Sequence, residues 1–160
     1  MSRVLVAYFT ATGATAKVAA ELVKAEKADC FEIRPKQPYT AEDLDYTKKD
    51  SRSSLEMADD KCRPAMAGHI DGMSGYDTVF VGFPIWWGRE PSIVDTFLDS
   101  HYFVGKTVIP FCTSGATGVE KAAEHIRSII GADATVEDGK RLGADATEED
   151  IRLWTDLLGF

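Results

Sequence analysis

Val4-Leu5-Val6-Ala7-Tyr8-Phe9-Thr10-Ala11-Thr12-Gly13-Ala14-Thr15 decides how the rest of the chain is read. The stretch begins as an apolar, β-type run and ends in hydroxyl residues around a glycine. Its spacing then predicts an amphipathic helix from Gly13 to Glu26, with Val18, Ala19, Leu22 and Val23 on one face. The hydroxyls of Thr10, Thr12 and Thr15 can each donate to a phosphate oxygen. Small residues let the backbone N–H groups turn toward one point, and a new helix adds the positive end of its dipole. Thr10, Ala11, Thr12, Gly13, Ala14 and Thr15 therefore read as a loop for a phosphate monoester. The loop has no Lys, Arg or metal-binding carboxylate, so it suits a phosphate that is held rather than transferred. The plainer alternative is an ordinary polar turn between strand and helix.

The length of 160 residues and the 44% hydrophobic content suit one globular domain spanning 1–160. No apolar run approaches the roughly 20 residues of a membrane helix, and the first residues lack the layout of a signal peptide. Cys30, Cys62 and Cys112 have no metal-type spacing. Cys30 and Cys112 fall at strand-like positions and read as buried, reduced thiols, which implies a cytoplasmic location. The 26 acidic residues outnumber the 18 basic ones, giving a net charge of −8. That balance argues against nucleic acid or an anionic membrane surface as a partner and fits docking on a basic protein.

Asp29 to Arg34 alternates as an edge strand would, before Pro35 and Pro38. The segment 37–76 is longer than an ordinary connection. Thr40 opens a polar segment expected to be helical toward Ala58, and Tyr39 and Tyr46 are either ligand contacts or packing residues. Asp77 to Phe83 and Lys106 to Cys112 read as buried strands. Pro110 inside the second demands a bulge or an unpaired position. A helix opening at Pro91 turns Ile93, Val94, Phe97 and Leu98 inward. Thr117 and Glu120 have capping-box spacing for the next helix, which shows Val119, Ala122, Ala123, Ile126 and Ile130 on one face. Ala134 to Leu142 can hold an edge strand interrupted at Gly139. Thr147 caps a last helix that buries Ile151, Trp154, Leu157 and Leu158. This β-α alternation predicts a parallel five-stranded sheet of order 2-1-3-4-5, with a ligand crevice between the first and third strands.

Three loops leave the carboxyl ends of the central strands and converge on that crevice. The second, Pro84-Ile85-Trp86-Trp87-Gly88, offers an indole as a flat surface for a planar ring, and Gly88 permits close approach. Its bland reading is that the indoles only pack the core. The third, Thr113-Ser114-Gly115-Ala116-Thr117-Gly118, can present backbone amides to the carbonyl edge of a pyrimidine-like ring, or be an ordinary turn. Together the loops describe a ligand with a phosphate at one end and a flat heteroaromatic ring at the other. Gly105-Lys106-Thr107 lacks the first glycine of a P-loop and precedes a strand, so it reads as a turn. Tyr8-Phe9-Thr10 offers no acid for a phospho-acceptor site. His69, His101 and His125 lack metal spacing and read as surface or loop residues, and no residue stands out as a general base.

The Thr-x-Thr-Gly-x-Thr loop resembles the phosphate loop of the flavodoxins, with Ala14 where Asn is frequent. The stretch from Tyr76 to Gly88, then Pro91, Phe97, Gly105-Lys106 and Phe111 to Gly115, is similar to a short-chain flavodoxin-like family. That resemblance implies a flavodoxin-like three-layer α/β sandwich and bound FMN. It implies that Thr10 to Thr15 hold the phosphate, that Pro84 to Gly88 lie along the isoalloxazine, and that Thr113 to Gly118 flank its pyrimidine side. It also implies that a peptide such as Trp87–Gly88 contacts flavin N5, although the Trp-Trp-Gly loop differs from that of many flavodoxins. Three functions remain open: an electron carrier between redox partner proteins, an FMN-dependent NAD(P)H oxidoreductase acting on quinones or similar acceptors, and a flavodoxin-shaped interaction module without FMN. The oligomeric state is not legible.

Overall fold

A computed structural model describes residues 3–160. Strand β1 (Val4–Tyr8) leads into helix α1 (Ala14–Glu26) and the edge strand β2 (Asp29–Glu32). A small antiparallel ribbon follows, in which β3 (Arg34–Pro35) pairs across the short helix α2 (Arg52–Met57) with β4 (Met66–Ala67). The chain then runs through β5 (Thr78–Pro84), α3 (Ser92–Ser100), β6 (Thr107–Thr113) and α4 (Glu120–Ile130). It ends with β7 (Thr135–Val136), β8 (Lys140–Arg141) and α5 (Glu148–Leu157).

The main sheet is parallel and has the order β2-β1-β5-β6-β7, with β8 also beside β6. With the ribbon set aside and β7 and β8 taken as halves of one strand, this is the predicted order 2-1-3-4-5. Alternate residues of the central strands fill two cores, which explains why those strands are apolar throughout. Leu5, Ala7, Val79, Val81 and Phe83 face Phe97 of α3 and Ile126 of α4. Val6, Phe80, Ile109 and Phe111 face Leu22 of α1 and Trp154 of α5. Gly82 lies opposite Phe111 in register, and a Cβ there would stand 2.1 Å from the phenyl ring.

Pro110 is accommodated by a gap in its neighbour. The carbonyls of Val108 and Cys112 accept from Glu137 and Leu142 on the outer side of β6. By strand alternation Pro110 turns its missing N–H to the same side. There the outer strand breaks between β7 and β8, where Gly139 approaches so closely that a Cβ would stand 2.3 Å from the Pro110 carbonyl oxygen.

Several expectations need correction. The helix foreseen from Thr40 toward Ala58 is confined to Arg52–Met57. Ahead of it, Thr40 and Asp43 bond each other's backbone, and Asp45 accepts from the Thr47 N–H. These side chains stand in for helical carbonyls and hold turns instead. Cys30 is exposed because β2 is an edge strand, whereas Cys112 is buried; all three cysteines are free thiols. Leu157 is 88% exposed, because α5 ends as that turn leaves the sheet; Ile151 and Trp154 are buried as expected. Among the described residues no helix is long and apolar enough to cross a membrane.

Candidate functional site

The first loop is shaped by its own hydroxyls. After β1, the Phe9 N–H still donates to the Gly82 carbonyl at 2.9 Å, and the chain then turns away. Thr10 Oγ1 accepts from the Gly13 N–H at 2.9 Å, which leaves its O–H free to donate elsewhere. Gly13 enters α1 with φ 99°, and no side chain caps the helix. The first amides of α1 are thus left for water or an anion, and no acidic residue stands in that turn.

Thr15 behaves differently from the expectation of three ligand-facing hydroxyls. It is buried, and its hydroxyl lies 2.7 Å from that of Thr113 at the end of β6. One of the two donates to the other, so the pair retains a single proton for a ligand. This bond fastens the first loop to the third. The cleft they enclose has a volume of about 370 Å³ and is lined by Ala11, Thr12, Ala14, Thr15, Pro84, Thr113, Ser114, Gly115 and Ala144. No carboxylate lines it. Ala144, between β8 and α5, was not foreseen. Nor was Arg141, whose Nη1 donates to the Ser114 carbonyl at 2.9 Å. Neither carries a local motif, because only the edge-strand register brings them there.

The rest of the third loop turns back on itself. Ser114 Oγ donates to the Thr117 carbonyl at 2.5 Å, and Ala116, Thr117 and Gly118 do not line the cleft. Helix α4 begins at Glu120 with Val119 as its cap residue, so the predicted Thr117–Glu120 capping box does not form.

The tryptophan loop is a tight hairpin. Trp86 and Arg89 exchange backbone hydrogen bonds of 2.9 and 3.2 Å. Trp87 and Gly88 between them have φ of 50° and 82°, the positive pair that a type I′ turn requires. For a tryptophan that backbone is strained, at a cost of roughly 1–3 kcal/mol. The two indoles part company. Trp86 packs edge-on against Phe9 and Tyr39, with centroids 5.5 and 5.4 Å away, while Trp87 is 51% exposed. Ile85 also packs against the core. Trp87 borders a second cleft with Arg89, Lys121, Glu124, His125 and Ser128.

Tyr39 is brought to the site and Tyr46 is not. Tyr39 borders a third cleft of about 570 Å³ with Phe9, Thr10, Ala11, Arg34 and Lys36, continuous with the first loop. Its hydroxyl donates to Glu56 at 2.5 Å and Arg52 lies 4.0 Å over its ring. Burial and Glu56 push its ionisation far above the ordinary range. Tyr46 is 77% exposed. Lys106 keeps its reading as a turn residue, for its N–H donates to the Phe103 carbonyl at 3.0 Å, and its buried ammonium donates to the Tyr76 carbonyl at 2.5 Å. His125 corrects its own: it is half-buried on α4 and meets the buried carboxylate of Glu90. The sequence hid this because Glu90 and His125 lie on separate elements.

Comparison with known proteins agrees with this fold. The family model described as flavodoxin matches residues 3–158. A structure of a candidate flavoprotein from Bacteroides eggerthii is 42% identical, covers 100% of this chain and 99% of its own, and superposes with a TM-score of 0.94. A second candidate flavoprotein, from Bacteroides uniformis, is also 42% identical over 97% of this chain and 98% of its own, with a TM-score of 0.90. A flavoprotein from Lactobacillus acidophilus, solved in complex with FMN, shares the fold at 19% identity, with 97% and 99% coverage and a TM-score of 0.72. No curated protein matches the chain.

Proposed function

The chain belongs to the flavodoxin family, and on that premise we propose that it binds FMN at the first and third loops and carries electrons between protein partners. The supporting observation is the cleft itself. It joins an uncapped helix start, the hydroxyl of Thr12 and the Thr15–Thr113 pair, no carboxylate lines it, and Thr10 stands beside it on the neighbouring cleft with its O–H free to donate. Those donors fit a phosphate monoester, and the Lactobacillus relative of the same fold is complexed with FMN. Thr10 to Thr15 would hold the phosphate. Pro84, Thr113, Ser114 and Gly115 would flank the more distal part of the ligand, and Trp87 offers an exposed indole face nearby in the chain. FMN supplies the redox chemistry when bound. The protein binds and orients it, and its excess of acids disfavours added negative charge on the ring.

The carrier reading fits a cleft without a general acid or base. The competing reading is an NAD(P)H-dependent reductase; the cleft beside Trp87, with Lys121 and His125 on its rim, favours it. One titration tests the cofactor: FMN added to apoprotein is expected to show quenched fluorescence and a shifted visible band. Thr12→Trp should weaken that binding at least tenfold, and unchanged affinity would sink the site. NAD(P)H added anaerobically to the same holoprotein should leave the flavin oxidised, whereas rapid bleaching would establish the reductase.

A further inference from the structure

Behind the 86–89 hairpin lies a group of buried charges that the cleft does not use. Glu90 and Asp95 are both sealed from solvent. Arg89 Nη1 stands 3.4 Å from Glu90 Oε1 and 3.2 Å from Asp95 Oδ2. His125 Nδ1 meets Glu90 Oε1 within hydrogen-bond reach and lies 3.8 Å from Asp95 Oδ1. Arg63, from the long middle segment, reaches within 4.0 Å of Asp95 but is paired with Asp99. The cluster thus ties the hairpin to α3, α4 and the segment ahead of β4.

Three atoms in it have no partner: the oxygens Glu90 Oε2 and Asp95 Oδ1 and the nitrogen Arg89 Nη2, whose companion Nη1 already serves both carboxyls. An ionised carboxylate only accepts, so two of them side by side leave both oxygens orphaned. A proton on one turns it into a donor for the other. The charges point the same way. Asp99 already answers Arg63, which leaves Arg89 facing two carboxyls. Arg89 balances one of them, and the other needs either a protonated His125 or a proton of its own; only a proton on the pair itself gives the two orphaned oxygens a donor. Lys121 and Glu124, which line the cleft on the solvent side beside His125, carry opposite charges and add no net charge. A divalent ion would restore a net positive charge inside the fold, next to Arg89, and is disfavoured for that reason. We propose that Glu90 and Asp95 hold one proton between them, with His125 donating to Glu90, and that this proton fixes the strained hairpin bearing Trp87 against α3 and α4. Burial and the neighbouring Glu90 push the Asp95 carboxyl up to about 9, in agreement with that arrangement.

The proposal does not depend on FMN and is tested on the ligand-free protein. Carboxyl-carbon NMR of selectively labelled Asp and Glu is expected to show one coupled transition centred above about pH 7, where ordinary carboxyls are long since ionised. The indole N–H signal of Trp87 should move with the same midpoint. Glu90→Gln keeps the shape, supplies the missing donor permanently and should abolish both transitions. If Glu90→Gln fails to fold, the wild-type titration decides alone. Titration of every carboxyl below about pH 6 would overturn the proposal. So would a Trp87 signal that ignores the transition. A shift of Glu90, Asp95 and His125 on adding zinc would replace the proton by a metal.

Discussion

Thr15 and Thr113 lie 98 positions apart, yet one hydrogen bond between them joins two loops. Thr15→Val keeps the volume and removes one of the two hydroxyls. It should cost about 1 kcal/mol in urea unfolding with an unchanged slope, and it should weaken FMN binding, since the first loop loses its tie to β6. Gly82 is a sharper case. Gly82→Ala places a methyl 2.1 Å from the Phe111 ring, deep in a core buried on both faces. Overpacking of this kind costs roughly 1–3 kcal/mol, and pairing it with Phe111→Leu should recover part of that in a double-mutant cycle. The two positions differ in how legible they were. Thr15 announced itself by sitting in a hydroxyl-rich turn, although its partner did not. Gly82 looked like one more residue of a strand, because its constraint comes from the neighbouring strand's register.

At the scale of elements, one spacing occurs at Thr40, Thr117 and Thr147; it bonds reciprocally at the first and the last, and only at Thr147 does it open a helix. Thr147 accepts from the Asp150 N–H at 3.2 Å while Asp150 returns a bond to the Thr147 N–H at 3.0 Å. The same spacing at Thr117 and Glu120 forms nothing, because Ser114 holds the Thr117 carbonyl and α4 starts two residues late. Thr147→Ala should therefore cost about 1 kcal/mol in thermal unfolding, while Thr117→Ala should leave stability within about 0.5 kcal/mol of wild type. The central strands and four of the five helices were legible because burial writes a period into them. The 37–76 segment carries no such period, and its turns are held by Thr40, Asp43, Asp45 and Ser51 at short range. The break between β7 and β8 was foreshadowed by Pro110 and Gly139. The ribbon of β3 and β4 was not, since two residue pairs leave no pattern.

For the whole molecule, charge acts at two ranges. In the proposed arrangement Glu90 and Asp95 keep one proton between them in the fold, burial and Glu90 pushing the Asp95 carboxyl up to about 9 from its ordinary value of 3.8. A group raised in this way lends its full stability below the unfolded value and loses it as pH climbs through the folded one. Asp29, Asp43, Asp45 and Asp150 are held below the ordinary range, by side-chain or backbone hydrogen bonds, and their contribution disappears only as pH falls below about 4. The unfolding free energy from urea titrations should accordingly fall from pH 5 to pH 9, with a slope of at most about 1.4 kcal/mol per pH unit, and Asp95→Asn should flatten the profile. A profile flat in the wild type would contradict the buried proton. At longer range, the excess of 26 acids over 18 bases gives the surface a negative field, which would steer a basic partner. That field is screened over about 30 Å at 0.01 M salt and about 8 Å at 0.15 M. If the protein carries electrons, transfer from its reduced flavin to a lysine-rich acceptor protein should slow at least tenfold across that interval in stopped-flow. Transfer to a neutral small-molecule acceptor should barely change, because it has no charge for the field to steer. Equal salt dependence for both acceptors would mean that the acidic surface plays no part in docking.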